Sequence, residues 1–388
     1  MGVDEIAKAI MRGKDRWIEF LRDIVNIDSG TEYKEGVDLV ADIIAQRLKD
    51  LGFYVGRIKE ERYGDHILAC INRDVTPRIL LVGHMDTVYP KGTVKERPFS
   101  VKNSTAHGPG VLDMKGGIMV MLLALEALKD VGSRAYQDIS ICVFLNSDEE
   151  LLSPSSSKIM DEEAKKADLA IVFEPARPGG GYVKSRWSVA WLRIVVQGIT
   201  GHAGWKGGVS AIHELIHELS TILRNFEKRG RLLINVGVIR GGERPSIIAP
   251  RAEAELSLRA PTLEEIEEAI SNIYNITSKT THEGAKSSLE IINKWPPLLD
   301  NERNRNAFRY FQKAAGELGI KLISVDAMAG SDANHISQYT AVVDGAGAYG
   351  GHPHSPYEYI EIDKTFERAI ICARAMEIFH EASKSRFN

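Results

Sequence analysis

Apolar residues recur at helical spacing over residues 35–52, at Val37, Val40, Ile44, Leu48 and Leu51, and Gly52 supplies a stop. Short continuous apolar runs follow at 79–82, 141–145 and 169–173, with a long apolar helix from Lys115 between the first two. Runs of that length read as strands with both faces covered. Strands alternating with helices predict an α/β fold with a mainly parallel sheet. In such sheets ligands gather past the carboxyl ends of the strands.

The pattern changes near Trp187. Residues 187–198 read as a strand, 209–227 as a helix and 231–240 as a strand. Over 251–259 the alternation is strict, Ala254, Leu256 and Leu258 facing one way and Glu253, Glu255 and Ser257 the other. A helix over 262–280 and a strand over 288–294 complete the order strand-helix-strand-strand-helix-strand, the ferredoxin-like (βαββαβ) unit. After Trp295-Pro296-Pro297 the first pattern resumes, ending with a strand at 341–343 and a helix from Asp363. The reading is therefore a discontinuous domain, 1–185 and 296–388, interrupted by an inserted one, 186–295. No internal repeat or low-complexity segment is visible.

Composition narrows the classes. With 388 residues, 44% hydrophobic and 26% charged, the chain is globular and long enough for two domains. A net charge of −4 offers no basic field for nucleic acid or an anionic membrane surface. No apolar run approaches a membrane span, and the first residues lack a leader pattern. Cys70, Cys142 and Cys372 all sit in apolar runs and read as buried free thiols of a reducing compartment, so a cytoplasmic location is expected.

The candidate chemistry lies at strand ends. Gly83-His84-Met85-Asp86-Thr87 closes one strand, and His84 and Asp86, two apart, can face one site. Asp113 lies in the glycine-rich run 108–117, and read alone it is a helix cap. Three adjacent acids, Asp148-Glu149-Glu150, follow another strand, an arrangement that is costly to bury without cations. Glu174 closes a third strand, and His354 lies in the loop after the last one. Hard carboxylates mixed with imidazole suit a pair of divalent ions better than one structural zinc, which favours thiolates. The set points to a two-metal hydrolase.

Two further patterns look like sites. His213-Glu214-Leu215-Ile216-His217 matches a zinc-protease helix, but the apolar positions Ile212, Leu215, Ile216, Leu219, Leu223 and Phe226 make it an amphipathic surface helix. The run 345–350 is a literal G-x-G-x-x-G after a strand. No helix opens there to meet a pyrophosphate, which argues against a dinucleotide-dependent oxidoreductase.

With these motifs in hand, the chain resembles the co-catalytic zinc peptidase family that includes carboxypeptidase G, aminoacylase-1, acetylornithine deacetylase and succinyl-diaminopimelate desuccinylase. The matches are the runs at 83–88 and 108–117, Asp148-Glu149-Glu150, Glu174-Pro175, Gly201-His202-Ala203-Gly204, Gly330-Ser331-Asp332 and His354-Ser355. The resemblance implies that Asp113 bridges two Zn2+ ions, with Co2+ or Mn2+ as substitutes. His84 and Glu174 would complete one metal, and Glu150 and His354 the other. Glu149 would be the general base and Asp86 the partner of His84. The inserted domain would be a lid through which a homodimer forms. His202 would reach the neighbouring subunit's site, Arg259 would bind substrate carboxylate, and Ser246 and Gly330 would line the substrate. Glu174, where some relatives carry Asp, resembles the carboxypeptidase and acetylornithine-type branches.

There are departures from the family pattern. Ser246 stands where Asn is usual, Ser257 where Asp is common, His107 for Tyr and Leu152 for Gly. The implied activity is hydrolysis of an amide bond next to a free carboxylate. The substrate would be a short peptide, as for a glutamate carboxypeptidase, or an N-acyl amino acid, as for a deacylase. A non-catalytic metal-bound peptide-binding protein is the rival from another class, and retention of Glu149 and every ligand argues against it.

Overall fold

A computed structural model describes residues 2–226 and 230–387; the expected limits at residues 1, 227 and 388 lie outside the described residues. Contacts divide the chain into two units, Met1–Ser185 with Leu299–Asp326 and Ser331–Asn388, and Arg186–Leu298 with Ala327–Gly330.

The apolar runs build the middle of an eight-stranded sheet in the first unit, as the strands Arg78–His84, Ser140–Asn146 and Leu169–Val172. Arg78–His84 pairs in parallel with both others, Leu81 lying opposite Val143 on one side and Ile171 on the other. Ala341–Asp344 adds a fourth parallel strand. Every residue of the first three is buried, the signature of a sheet covered on both faces. The helix Lys115–Asp130 is buried on all sides from Lys115 to Leu125, which marks it as a core element. Each fully buried leucine there contributes about 2 kcal/mol of transfer free energy. The edge strand Tyr54–Ile58 was not legible in the periodicity, nor were the helices Val3–Arg12 and Lys14–Val25; it pairs antiparallel with His66–Ile71, which holds the apolar run around Cys70.

The thiol expectation is corrected. Cys70 and Cys142 face each other across the antiparallel pair of His66–Ile71 with Ser140–Asn146 and form a disulfide; Cys372 alone is free. Side chains directly opposite in such a pair share a face at about 5 Å between Cβ atoms. A separation of 72 residues hid that proximity from the sequence. The argument for a reducing compartment falls with it. No helix among the described residues is long and apolar enough to cross a membrane.

In the second unit a four-stranded antiparallel sheet runs in the order Leu233–Gly241, Arg251–Ala260, Ser188–Gln197, Lys286–Trp295. Its helices are Ala211–Phe226 and Leu263–Thr277. That order is the ferredoxin-like one. Ala252, Ala254, Leu256 and Leu258 are buried, as the alternation requires. Thr262 caps its helix, its side chain accepting the Glu265 amide while Glu265 reaches back to the Thr262 amide. The stripe assigned to Ala211–Phe226 needs correction: Ile216 and Leu223 are exposed, while Glu214 and Glu218 are buried. Glu214 accepts the backbone N–H groups of Thr281 and His282, each at 2.8 Å, so its burial is offset by hydrogen bonds that periodicity cannot reveal.

Denatured, unreduced protein should show one titratable thiol, and reduced protein three. Reduction should lower unfolding free energy by up to about 4 kcal/mol through loop-closure entropy, read from urea midpoints. Three thiols before reduction would refute the pairing.

Candidate metal centre

Parallel strands deliver their ends to one edge, and the acidic and imidazole residues meet there. His84 is the last residue of its strand, and Glu174 lies two past Val172. Glu149 and Glu150 open a single helical turn three residues beyond Asn146. His354 arrives from a loop between two short strands, Gly350–Gly351 and Tyr359–Glu361, so the sheet strand at Ala341–Asp344 is not the last strand of the chain.

Asp113 stands between two donor sets. Its Oδ1 is 3.3 Å from His84 Nε2, and its Oδ2 is 3.1 Å from His354 Nε2. His84 Nε2 also lies 3.6 Å from Glu174 Oε1, and His354 Nε2 lies 3.4 Å from Glu150 Oε1. Donor atoms of His84, Asp113 and Glu150 all lie within 4.8 Å of one another, as do those of His84, Glu149 and Glu174. Glu150 Oε1 is buried without a hydrogen bond. An orphaned carboxylate oxygen among hard donors is what a divalent cation would satisfy. The residues fit.

Local geometry explains the aim of each side chain. In the acidic run Asp148 turns away and accepts both N–H and O–H of Ser155 and of Ser156. Leu152 and Ser153 then take left-handed conformations at φ 67° and 52°, reversing the chain just after the two glutamates. The resemblance leads one to expect Gly at the first of these positions, and the positive φ gives the reason. Gly117 lets the core helix start against the strand end: a Cβ there would stand 2.1 Å from the Phe173 carbonyl. Asp86 proves to be a hub. His84 Nδ1 is 3.0 Å from its backbone carbonyl, while its carboxylate accepts the amides of Glu149 and Glu150 and the hydroxyl of Thr31. A carbonyl partner fixes the imidazole as well as a carboxylate does.

Burial and crowded charge shift several of these groups. Burial pushes the Glu149 carboxyl well up, and the Glu174 charge adds to it. Burial also raises Glu150, against the pull of the nearby His354 imidazole. For Asp113, burial is outweighed by hydrogen bonds from His354 and His84, which hold it well below the usual range. Bonds to Asp113 and Glu150 push His354 up to about 10. His84 is pulled down by burial but raised on balance by Asp113 and Asp86. Among the described residues the Glu149 side chain takes no hydrogen bond; His84 Nε2 stands 3.9 Å from its Oε2.

Sequence reasoning missed several supporting groups. Asp332, quoted only as part of a motif, accepts from Ser153 Oγ at 2.6 Å and Asn146 Nδ2 at 2.8 Å, and burial raises it to about 6. Lys115 is fully buried with its ammonium on the Ile27 carbonyl, and burial lowers it to about 7. Glu358 is buried against the Asp113 loop and accepts its amides. The spacing of His354 and Glu358, four residues apart in one loop, was the available signal. A cavity of about 550 Å³ opens beside Glu150, lined by Thr31, Tyr33, Thr87, Tyr89 and Lys91.

The remaining positions lie in the second unit. His202 Nδ1 accepts the Gly204 amide at 3.1 Å, which leaves Nε2 as the ring's donor. The Ser246 carbonyl accepts the Ala203 amide. Arg259 is half-buried, and its one polar contact is the Met328 carbonyl at 3.4 Å. Among the described residues no carboxylate pairs with it. Gly330 packs where a Cβ would meet the Trp295 ring at 2.5 Å, and its carbonyl accepts from Arg186. The glycines of 345–350 serve packing: a Cβ on Gly347 would stand 2.0 Å from the Phe173 carbonyl, and Arg368 donates to the Gly345 and Gly347 carbonyls. His213 and His217 fall in neither group of convergent donors.

The model of peptidase family M20/M25/M40 matches residues 80–377. Carboxypeptidase G2 of Pseudomonas sp. (strain RS-16) is 30% identical over 368 residues, covering 92% of this chain and 88% of that protein. Succinyl-diaminopimelate desuccinylase of Rickettsia akari (strain Hartford) is 26% identical over 286 residues, 68% of this chain and 74% of its own. The solved Bacillus subtilis YXEP protein, a dinuclear metal binding peptidase from the M20 family, superposes with a TM-score of 0.68 at 14% identity, covering 97% of this chain and 99% of its own.

With metal stripped by a chelator, the raised His354 stabilises the fold fully below its ordinary 6.5 and loses that contribution as pH rises through about 10. The raised Glu149 acts in the same direction, because ionising it in place is unfavourable. These two groups lower the thermal midpoint of chelated protein between pH 6.5 and 10, against the opposite contribution of Lys115, and His354→Ala should show the smaller fall. Saturating zinc should flatten that decline, since ligation requires the deprotonated groups. Parallel curves with and without metal would contradict the assignment.

Proposed function

The chain belongs to peptidase family M20/M25/M40, and from that premise we propose that it is a two-metal carboxypeptidase acting on short peptides. It would cleave the amide bond next to a free C-terminal carboxylate. The observation that carries this reading is Asp113, with one oxygen toward His84 and the other toward His354. His84, Asp113 and Glu174 would hold one ion, and Asp113, Glu150 and His354 the other. Zinc is the proposed ion, two per subunit, with cobalt or manganese as substitutes. Bound there, the pair would supply Lewis-acid activation of water and of the scissile carbonyl.

The chain's own residues do the rest. Glu149, raised by burial and free of hydrogen bonds, is poised to take a proton from water and return it to the leaving nitrogen. Asp86 holds the Glu149 and Glu150 amides and His84 in one register. In the second unit, His202 presents an Nε2–H suited to a developing oxyanion. Arg259, a half-buried cation with no carboxylate partner among the described residues, suits the carboxylate of a substrate. The second unit is proposed as lid and dimer surface, with Ser246 beside the His202 turn and Gly330 at the substrate end. Support for a homodimer is the edge strand Leu233–Gly241 with Ile239 exposed, and Ile216 and Leu223 exposed on the adjoining helix. Deacylation of an N-acyl amino acid is the second reading, favoured by the desuccinylase relatives and served by the same groups. The Cys70–Cys142 pair speaks against the cytoplasmic setting that free thiols would have favoured.

Dipeptides ending in acidic, basic and apolar residues, assayed beside N-acetyl and N-succinyl amino acids, should separate the two readings. Peptide cleavage that disappears with chelator and returns with zinc is the expected result. Preference for the acyl amino acids would move the assignment to a deacylase. Glu149→Gln should lower kcat by about 10²–10⁴-fold with metal content unchanged; full activity would sink the general-base role. Arg259→Ala should raise KM for substrates with a free carboxylate about tenfold or more, and spare amidated analogues.

A further inference from the structure

Glu358 lies outside the set of convergent metal donors, yet it ties two of their loops together. Its Oε1 accepts the amides of Leu112 at 2.8 Å and Asp113 at 3.0 Å, and its Oε2 accepts that of Gly110 at 3.1 Å. Tyr89 Oη is 2.6 Å from the same Oε2 and 2.9 Å from the Ser355 carbonyl. Every polar group facing the carboxylate is therefore a donor, and three of them are consecutive-loop amides that end at Asp113. Glu358 is itself only four residues beyond His354.

The two donor sets differ in what holds them. His84 and Glu174 are buried at the ends of core strands. His354 sits on a loop with its side chain 50% exposed and its backbone at φ 58°. Without an anchor, that loop would spend conformational freedom each time it met a cation. The Glu358 carboxylate supplies the anchor.

We propose that Glu358 is a positioning residue that sets the distance between His354 and Asp113, and with it the affinity of the Asp113–Glu150–His354 metal set. The inference rests on the two-metal reading of the centre. A glutamine at 358 would turn an amide N–H₂ toward backbone donors that need an acceptor, so either the Gly110 bond or both the Leu112 and Asp113 bonds would be lost, depending on the flip. His84 and Glu174, carried by the strands, would keep their places, so the ion they share with Asp113 would change less.

The test is calorimetric titration of chelator-stripped protein with zinc, using wild type, His354→Ala, Glu358→Gln and Tyr89→Phe. Loss of one ion on His354→Ala identifies that set. Glu358→Gln should weaken the same ion by about 10–100-fold, the range for outer partners of a ligand, and the other ion by less than about threefold. Tyr89→Phe, which removes a single hydroxyl, should weaken the same ion by about two- to tenfold. Equal weakening of both ions, or of neither, overturns the proposal. If circular dichroism shows Glu358→Gln unfolded, Tyr89→Phe decides: a selective loss supports the proposal and unchanged affinities overturn it. Wild type that binds a single ion overturns the two-metal reading and this inference together, an outcome distinct from failure of the variants alone.

Discussion

Mutual repulsion of carboxylates at one edge of a sheet is the constraint on which the rest of this structure depends. Asp113, Glu149, Glu150 and Glu174 converge on His84, within a region where little of any of them is exposed. Even with His84 and His354 both protonated, four negative charges face two positive ones. Low-dielectric surroundings make that imbalance expensive, and only cations or protons can relieve it. The same imbalance accounts for the opposed shifts, Asp113 held down by two imidazoles while Glu149 is pushed up by burial and Glu174.

Rigid surroundings make the imbalance persist. Parallel strands with every residue buried cannot relax to separate the acids. Asp86 pins the Glu149–Glu150 turn to the His84 strand through backbone amides, and Asp332 pins Asn146 and Ser153 just beyond. Glycines without room for a Cβ, Gly117 and Gly347, bring the core helix and the following loop against the end of the Glu174 strand. What stability gains from burial is partly spent holding an acidic cluster together. That expenditure is intelligible where a metal-dependent hydrolase of family M20/M25/M40 needs its donors in place before the ions arrive.

How much was legible in the sequence follows from the range of the signals. Residues 79–82 and 141–145 read as strands because continuous apolar runs reflect burial of both faces, a local property. The strict alternation at 251–259 gave the inserted sheet its facing for the same reason. His84, Asp113, Glu150, Glu174 and His354 stood out because each follows a strand end or a glycine turn. The helix at Ala211–Phe226 was misjudged, since Glu214 hides behind hydrogen bonds from residues 281 and 282. Lys115 and Glu358 escaped notice because their partners lie in other loops.

By itself, then, the sequence determined the order of elements, the inserted ferredoxin-like unit and the kinds of donor available, because periodicity and residue chemistry act over a few positions. Tertiary structure alone decided which donors meet: Asp113 between two imidazoles, Asp148 turned away from its neighbours, and Glu358 beneath the Asp113 loop. It also paired Cys70 with Cys142 across adjacent strands. Apart from the turn of Asp148 onto Ser156, these contacts join residues tens to hundreds of positions apart. Strand register and loop closure, which no local pattern encodes, bring them together.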